Sequence, residues 1–222
     1  MISRLELRWL RKPGWARLPF SVTILATGLF FLLAHEAVIE HEHGALELYW
    51  MEVLSTLRME VLTSVLLWVN RVHDKVIASL VIVILATQIY RRRWRQFCLL
   101  LIMGPGAMLL NLLAKNVFQR PRPQVDALVS AHGYAFPSGH TIAAAAVAAM
   151  LIHLTWRETT SSGWRGASVV LAVPMALVVG FGRVYLGAHY PSDVMASLLE
   201  AVAWSCLCIA VDCDRPDLSR TP

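Results

Sequence analysis

Charge is scarce in this 222-residue chain: Asp, Glu, Lys and Arg make up 16% of it, against 57% hydrophobic residues and a mean hydropathy of +0.56. Soluble globular domains carry about 25% charged residues, so the deficit excludes an ordinary water-soluble fold. Cysteine is also sparse. Cys98, Cys206, Cys208 and Cys213 are too few, and too deep in apolar sequence, for a disulfide framework. Cys206-x-Cys208 lacks the second pair that a zinc site needs, and all four read as small packing residues. Repeats and low-complexity segments are absent as well.

What the chain has instead is long apolar runs. A bilayer-spanning helix takes about 20 apolar residues, and six candidate spans emerge: Leu18 to Ala34, Val76 to Tyr90, Phe97 to Val117, Ser138 to Trp156, Ala167 to Tyr185 and Pro191 to Val211. The expected fold is therefore all-α, a six-transmembrane helix bundle over residues 18–211, with no room for a separate soluble domain. A basic leader (1–17) precedes it and reads as the flank of a retained signal anchor, because no small-x-small cleavage site follows Ala34; residues 212–222 form a tail. Between the first two spans, Leu46 to Asn70 is amphipathic and is expected along the interface or over the outer face, ending at a polar break from Asn70 to Lys75. Gly104-Pro105-Gly106 predicts a kink in the third span.

A formal charge of +5 could serve nucleic acid, but the Lys and Arg residues sit between apolar runs, so the bilayer is the expected partner and nucleic acid is not. With the N-terminus inside, thirteen of the 20 Lys and Arg fall on the inner side and seven on the outer side. That asymmetry predicts an N-in, C-in topology, with 35–75, 118–137 and 186–190 facing outward.

Three ordered patterns then arrive at one outer face: Lys115-x6-Arg122-Pro123, Pro137-Ser138-Gly139-His140 and Arg183-x5-His189-x3-Asp193. Lys115, Arg122 and Arg183 supply three cations suited to phosphate oxygens. Ser138 stands where an N-cap belongs, and the Gly139 and His140 amides at the start of a helix add donors and a favourable dipole, with no side chain at Gly139 to bar close approach. His189 and Asp193 share a helix face, so Asp193 can hold one ring nitrogen while the other attacks phosphorus; His140, from another span, can protonate the departing oxygen. The chemistry this implies is in-line phosphoryl transfer through a phosphohistidine, with cations doing the work that needs a metal elsewhere.

These three motifs resemble the signatures of the type 2 phosphatidic acid phosphatase (PAP2) superfamily, whose members include bacterial lipid phosphate phosphatases, undecaprenyl-diphosphate phosphatases, glucose-6-phosphatase and soluble vanadium haloperoxidases. The motif region covers residues 115–193, and ten specified residues at set spacings make the match specific. The resemblance implies a PAP2/haloperoxidase-like catalytic core, with phosphate held by Lys115, Arg122, Ser138, Gly139 and Arg183. It implies His189 as nucleophile, Asp193 as its orienter, His140 as general acid, and neither metal nor cofactor. The expected substrate is a lipid phosphate or diphosphate, such as undecaprenyl diphosphate, phosphatidylglycerophosphate or phosphatidic acid. The expected location is a bacterial cytoplasmic membrane with the site facing the periplasm or exterior. Gly182 departs from the pattern, since the family often has Ser before the third-motif Arg.

Other residues carry blander expectations. His73, His132 and His153 read as packing histidines, and the run from His35 to His43 as a solvated outer segment instead of a metal site. Glu200 is left outside the site as a structural carboxyl. Asn111 is a helper for Lys115, and Arg120 is a poorer phosphate ligand than Arg122 because of its spacing. Alternatives to hydrolysis are a lipid phosphotransferase of the same family and, in another class, a small anion or lipid transporter, which needs no His189/Asp193 pair. Six spans argue against a haloperoxidase.

Overall fold

The computed structural model describes residues 14–40 and 44–213; residues 1–13 and 214–222 of the expected leader and tail, and 41–43 of the acidic and His-rich run, lie outside the described residues. The regular elements of the described residues are all helical: α1 (Gly14–Ala34), a π-helical turn (His35–Glu40), α2 (Gly44–Thr56), α3 (Glu60–Tyr90), α4 (Trp94–Phe118), α5 (Gly139–Glu158), α6 (Ser162–Tyr185) and α7 (Pro191–Cys213). Six helices are long and apolar enough to cross a bilayer, as hydropathy predicts.

The second span differs from expectation. It begins at Glu60 and not at Val76, so the polar stretch from Asn70 to Lys75 lies inside one helix of 31 residues. That stretch contains neither Gly nor Pro, so nothing in the backbone stops the helix. Thirty-one residues at 1.5 Å rise make about 46 Å, so α3 is longer than the roughly 30 Å of hydrocarbon that it would cross. The segment Leu46 to Asn70 is correspondingly not one interfacial helix. It is α2, a turn at Leu57–Met59 and the start of α3, with the Met59 N–H donating to the Tyr185 hydroxyl at 2.9 Å.

α5 is the central helix, packed by α4, α6, α7 and α3, while α1 lies along α7. Its alanine run lets neighbours approach closely: Ala144 and Ala148 pack with Ala172 and Ala176 of α6 in a buried layer. In α4 the helix continues through Pro105, and the flanking glycines mark contact points. A Cβ at Gly104 would lie 2.5 Å from Met150 Sδ, and one at Gly106 3.3 Å from Trp204.

At the end of the bundle holding residues 91–95, ion pairs tie helices together. Asp212 accepts from Arg95 at 2.9 Å and Arg157 at 3.2 Å, and Glu158 pairs with Arg91 and Arg93. At the opposite end the 119–138 connection is pinned by Phe136, fully buried among Phe30 and Phe118 with ring centroids 5.8 and 5.1 Å away. Burying one such ring is worth about 1.5–3 kcal/mol, and this anchor sets the start of α5.

Candidate active site

All three motifs meet at the Phe136 end of the bundle. The helix starts at Gly139 with Ser138 in the N-cap position, yet the Ser138 hydroxyl caps no backbone amide; it accepts from Thr141 Oγ1 at 2.9 Å and is fully buried. The Ser138 N–H donates to the Asp193 carbonyl at 3.2 Å, joining the second motif to the third. The first motif closes on the second: a Cβ built on Gly139 would sit 3.6 Å from Asn111 Oδ1 and 3.9 Å from Lys115 Cε. First-turn amides of α5 have no helical acceptor by geometry, and they open beside Lys115.

His189 stands between Asp193 and Arg122. Its Nδ1 lies 3.4 Å from Asp193 Oδ2 across one helical turn, and its Nε2 lies 3.3 Å from Arg122 Nη1. A guanidinium can only donate, so Nε2 is the acceptor and the ring proton is assigned to Nδ1, facing the carboxylate. Burial, opposed by Asp193 and reinforced by Arg183 and Arg122, pushes the His189 pKa down to about 4. The ring is thus neutral near pH 7, with a lone pair on Nε2, as a nucleophile requires.

The turn that delivers His189 depends on Gly187. Its φ is +78°, and a Cβ there would approach Ala127 Cα to 2.9 Å. The same turn is tied to the 119–138 connection by the Leu128 N–H donating to the Leu186 carbonyl at 3.0 Å.

The three cations are held mainly by neutral acceptors. Lys115 Nζ donates to the Tyr134 carbonyl at 2.8 Å. Arg122 donates to the carbonyls of His132, Gly133 and Ala188 at 2.8, 3.0 and 2.8 Å. Arg183, 5% exposed, donates to Asn70 Oδ1, and its Nε has no partner among the described residues. Carbonyl and amide oxygens aim these groups without cancelling their charge, which leaves a positive field beside His189.

Arg120 behaves differently, and sequence spacing carried no sign of it. Nearly buried, it donates to Asp193 Oδ1 and Ser192 Oγ, both at 2.7 Å, and to Glu47 Oε2 at 2.8 Å, while lying 4.0 Å over the Tyr190 ring. Burial opposes its charge, but the two carboxylates outweigh that and raise its pKa. Glu47 also accepts from the Ser192 N–H at 2.8 Å. This Glu47–Arg120–Asp193 chain braces the carboxylate behind His189.

His140 is a quarter exposed, with its ring stacked 4.5 Å from that of His73 and its Nε2 3.7 Å from Asp74 Oδ1. His140 and Arg183 line one small pocket together. Of the presumed packing histidines, His153 is buried as expected. His132 is a correction: its side chain is exposed, and only its carbonyl serves the site, through Arg122. His73 is buried, but against His140 and not in apolar packing alone. Asn111 donates to Glu200 Oε2 at 3.1 Å, so the two form a buried pair beneath Lys115. At Gly182 a Cβ would come within 3.2 Å of Leu66 Cδ2, a tight approach that a small shift of that side chain could relieve.

His73, Asp74 and His140 also have the donor types of a cation site, with ligand atoms within 4.8 Å of one another. Arg183 faces the same ring, so local charge opposes a cation there.

Similarity to known proteins points the same way. Over 107 residues the chain is 34% identical to phosphatidylglycerophosphatase B of Bacillus subtilis (strain 168), 48% of this chain and 52% of that protein. Over 106 residues it is 32% identical to undecaprenyl-diphosphatase BcrC of the same organism, 46% of this chain and 50% of that one. The chain thus spans about half the length of these curated relatives. A crystal structure of a transmembrane PAP2 type phosphatidylglycerolphosphate phosphatase from Bacillus subtilis superposes with a TM-score of 0.79 at 23% identity, covering 88% of this chain and 98% of that one, so the fold is shared. The PAP2 superfamily model matches residues 94–216, more than half the chain and all three motifs, and the chain belongs to the PAP2 superfamily.

Proposed function

We propose that this protein is an integral membrane lipid phosphatase, hydrolysing a lipid phosphate monoester or diphosphate through a phosphohistidine at His189. The observation that carries the reading is the neutral, buried His189: Asp193 lies behind its Nδ1, and Nε2 opens toward the side where Arg122 is held by carbonyls.

Phosphate enters against Lys115, Arg122, Arg183 and the Ser138–Gly139 helix start, and Arg122 exchanges its contact with Nε2 for phosphate oxygens. The Nε2 lone pair attacks phosphorus in line. The bond from phosphorus to the lipid oxygen breaks, and His140 gives that oxygen a proton, so an alcohol or a lipid monophosphate leaves. Water then attacks phospho-His189, the deprotonated His140 takes a proton from it, the N–P bond breaks and inorganic phosphate departs. Asp193 keeps the His189 tautomer through both steps and balances the charge that ring acquires. Lys115, Arg122 and Arg183 stabilise the equatorial oxygens, so the step needs no added metal.

A lipid substrate is supported by a groove of about 540 Å³ between α3, α4 and α5, with His140 at its polar end and Ile77, Val81, Met108 and Val147 among its apolar walls. The relatives are named for phosphatidylglycerophosphate and undecaprenyl diphosphate, and these two, with phosphatidic acid, are the substrates proposed here. By the charge asymmetry of the loops, the site faces the periplasm or exterior of a bacterial cytoplasmic membrane.

The test is phosphate release by detergent-purified protein from the three lipids in EDTA, with His189→Ala alongside. Release that persists in EDTA and vanishes in the variant is expected, and the fastest lipid names the substrate. Release from none of them, with phosphate appearing on an added acceptor lipid, would replace hydrolysis by phosphotransfer.

A further inference from the structure

The family match begins at residue 94, yet one face of α3, which ends at Tyr90, carries three polar groups into the site. Asn70, His73 and Asp74 are spaced i, i+3 and i+4, which places them on one side of the helix. Asn70 Oδ1 accepts from Arg183. His73, 5% exposed, has Nδ1 2.9 Å from Asp74 Oδ1, and since a carboxylate only accepts, this nitrogen donates. The His73 ring also stacks on His140 at 4.5 Å with 21° between the planes. The Asp74 oxygen that His73 holds is the one 3.7 Å from His140 Nε2.

His140 has to carry a proton at the moment the leaving oxygen departs. Arg183 of α6 and His73 of α3 share its pocket. Asp74 is the carboxylate near its Nε2. Its own side chain is 80% exposed, so without a tether it would sample many rotamers in water, and His73 supplies the tether.

We propose that Asp74, held by His73, is a positioning residue for the leaving-group acid His140: it fixes the ring through one nitrogen and leaves the other to protonate the departing oxygen. The inference rests on the proposed acid role of His140. It makes α3 a working part of the site contributed from outside the family-matched segment, and it assigns His73 a task besides packing.

The test compares kcat/KM for dodecyl phosphate, whose alkoxide needs a proton to leave, with that for a dodecyl-substituted nitrophenyl phosphate, whose phenolate does not. His140→Ala is expected to lower the first by about 10²–10⁴-fold, as for loss of a general acid, and the second far less. Asp74→Asn is expected to lower the dodecyl phosphate value about tenfold and the nitrophenyl value less than twofold, with Asp74→Glu recovering part of the loss. His73→Phe, which keeps a stacked ring but loses the tether, falls between wild type and Asp74→Asn. Equal loss on both substrates in Asp74→Asn, or no loss on either, with His140→Ala still selective, would overturn the inference and leave the acid assignment standing. Equal loss on both substrates in His140→Ala would remove the acid assignment and the inference with it.

Discussion

Both ends of the bundle gather arginines, but they hold them differently. At the 91–95 end four are met by carboxylates, Arg91 and Arg93 by Glu158 and Arg95 and Arg157 by Asp212, while Arg165 donates to the carbonyls of Thr159 and Trp156. At the motif end Lys115, Arg122 and Arg183 are aimed by carbonyl and amide oxygens. A carboxylate partner cancels charge and ties helices together, whereas a neutral acceptor orients a cation and leaves its field intact. The first arrangement is a clamp, and the second is the one that the proposed function assigns to an anion. Arg120 sharpens the contrast, because it stands two residues from Arg122 in the same loop but is matched by Asp193 and Glu47, and it acts as a clamp inside the motif end.

The comparison can be broken at several points. The largest effect is expected from Arg120→Met, which leaves two buried carboxylates unpaired. Removing one partner of a buried pair costs about 3–5 kcal/mol, so the unfolding temperature in detergent should fall by many degrees, and a variant as stable as wild type would contradict the brace. Next comes Arg183→Ala. Loss of one donor to the transferring phosphoryl group lowers kcat/KM by about 10²–10³-fold, here with little change in unfolding temperature. A smaller effect is expected from Gly139→Ala. The methyl makes only ordinary contacts, at 3.6 and 3.9 Å, so the protein should fold normally, but it sits beside Lys115 and the helix start. Inhibition by inorganic phosphate should weaken about tenfold, or about 1.4 kcal/mol. Smallest is Arg91→Ala with Arg93→Ala: such exposed pairs are worth up to about 1 kcal/mol each, and activity should stay within twofold.

The pH profile probes the same end from the nucleophile's side. His189, with a pKa taken down to about 4, stays unprotonated as pH falls through 6.5, the ordinary histidine value. The acid limb of kcat/KM assigned to it should therefore lie near pH 4. Asp193 holds that pKa up against burial, so Asp193→Asn should move the limb further down, and an upward move would contradict the assignment.

Much of this was legible in the chain. Apolar runs revealed the six spans, and fixed spacings revealed the residues that meet around His189, because each motif needs only its own local helix or turn to present its groups. Three things were not legible. The start of α3 was hidden because a polar stretch lowers hydropathy without breaking a helix. The Glu47–Arg120 pair joins positions 73 residues apart, with no spacing rule to link them. His73 and Asp74 matter only because α3 packs beside the start of α5, which is a tertiary fact. Ser138 was placed correctly as an N-cap position, but its hydroxyl turned to Thr141 instead of a backbone amide.

The central claim is that phosphate passes through His189 before it reaches water. The most direct measurement is the stereochemical course at phosphorus, using a lipid phosphorothioate made chiral with two oxygen isotopes and hydrolysed in water carrying the third, so that the thiophosphate released is itself chiral. Two in-line displacements, first by Nε2 and then by water, predict overall retention of configuration. Overall inversion would mean that water attacks the lipid phosphate directly, and His189 would not be the nucleophile.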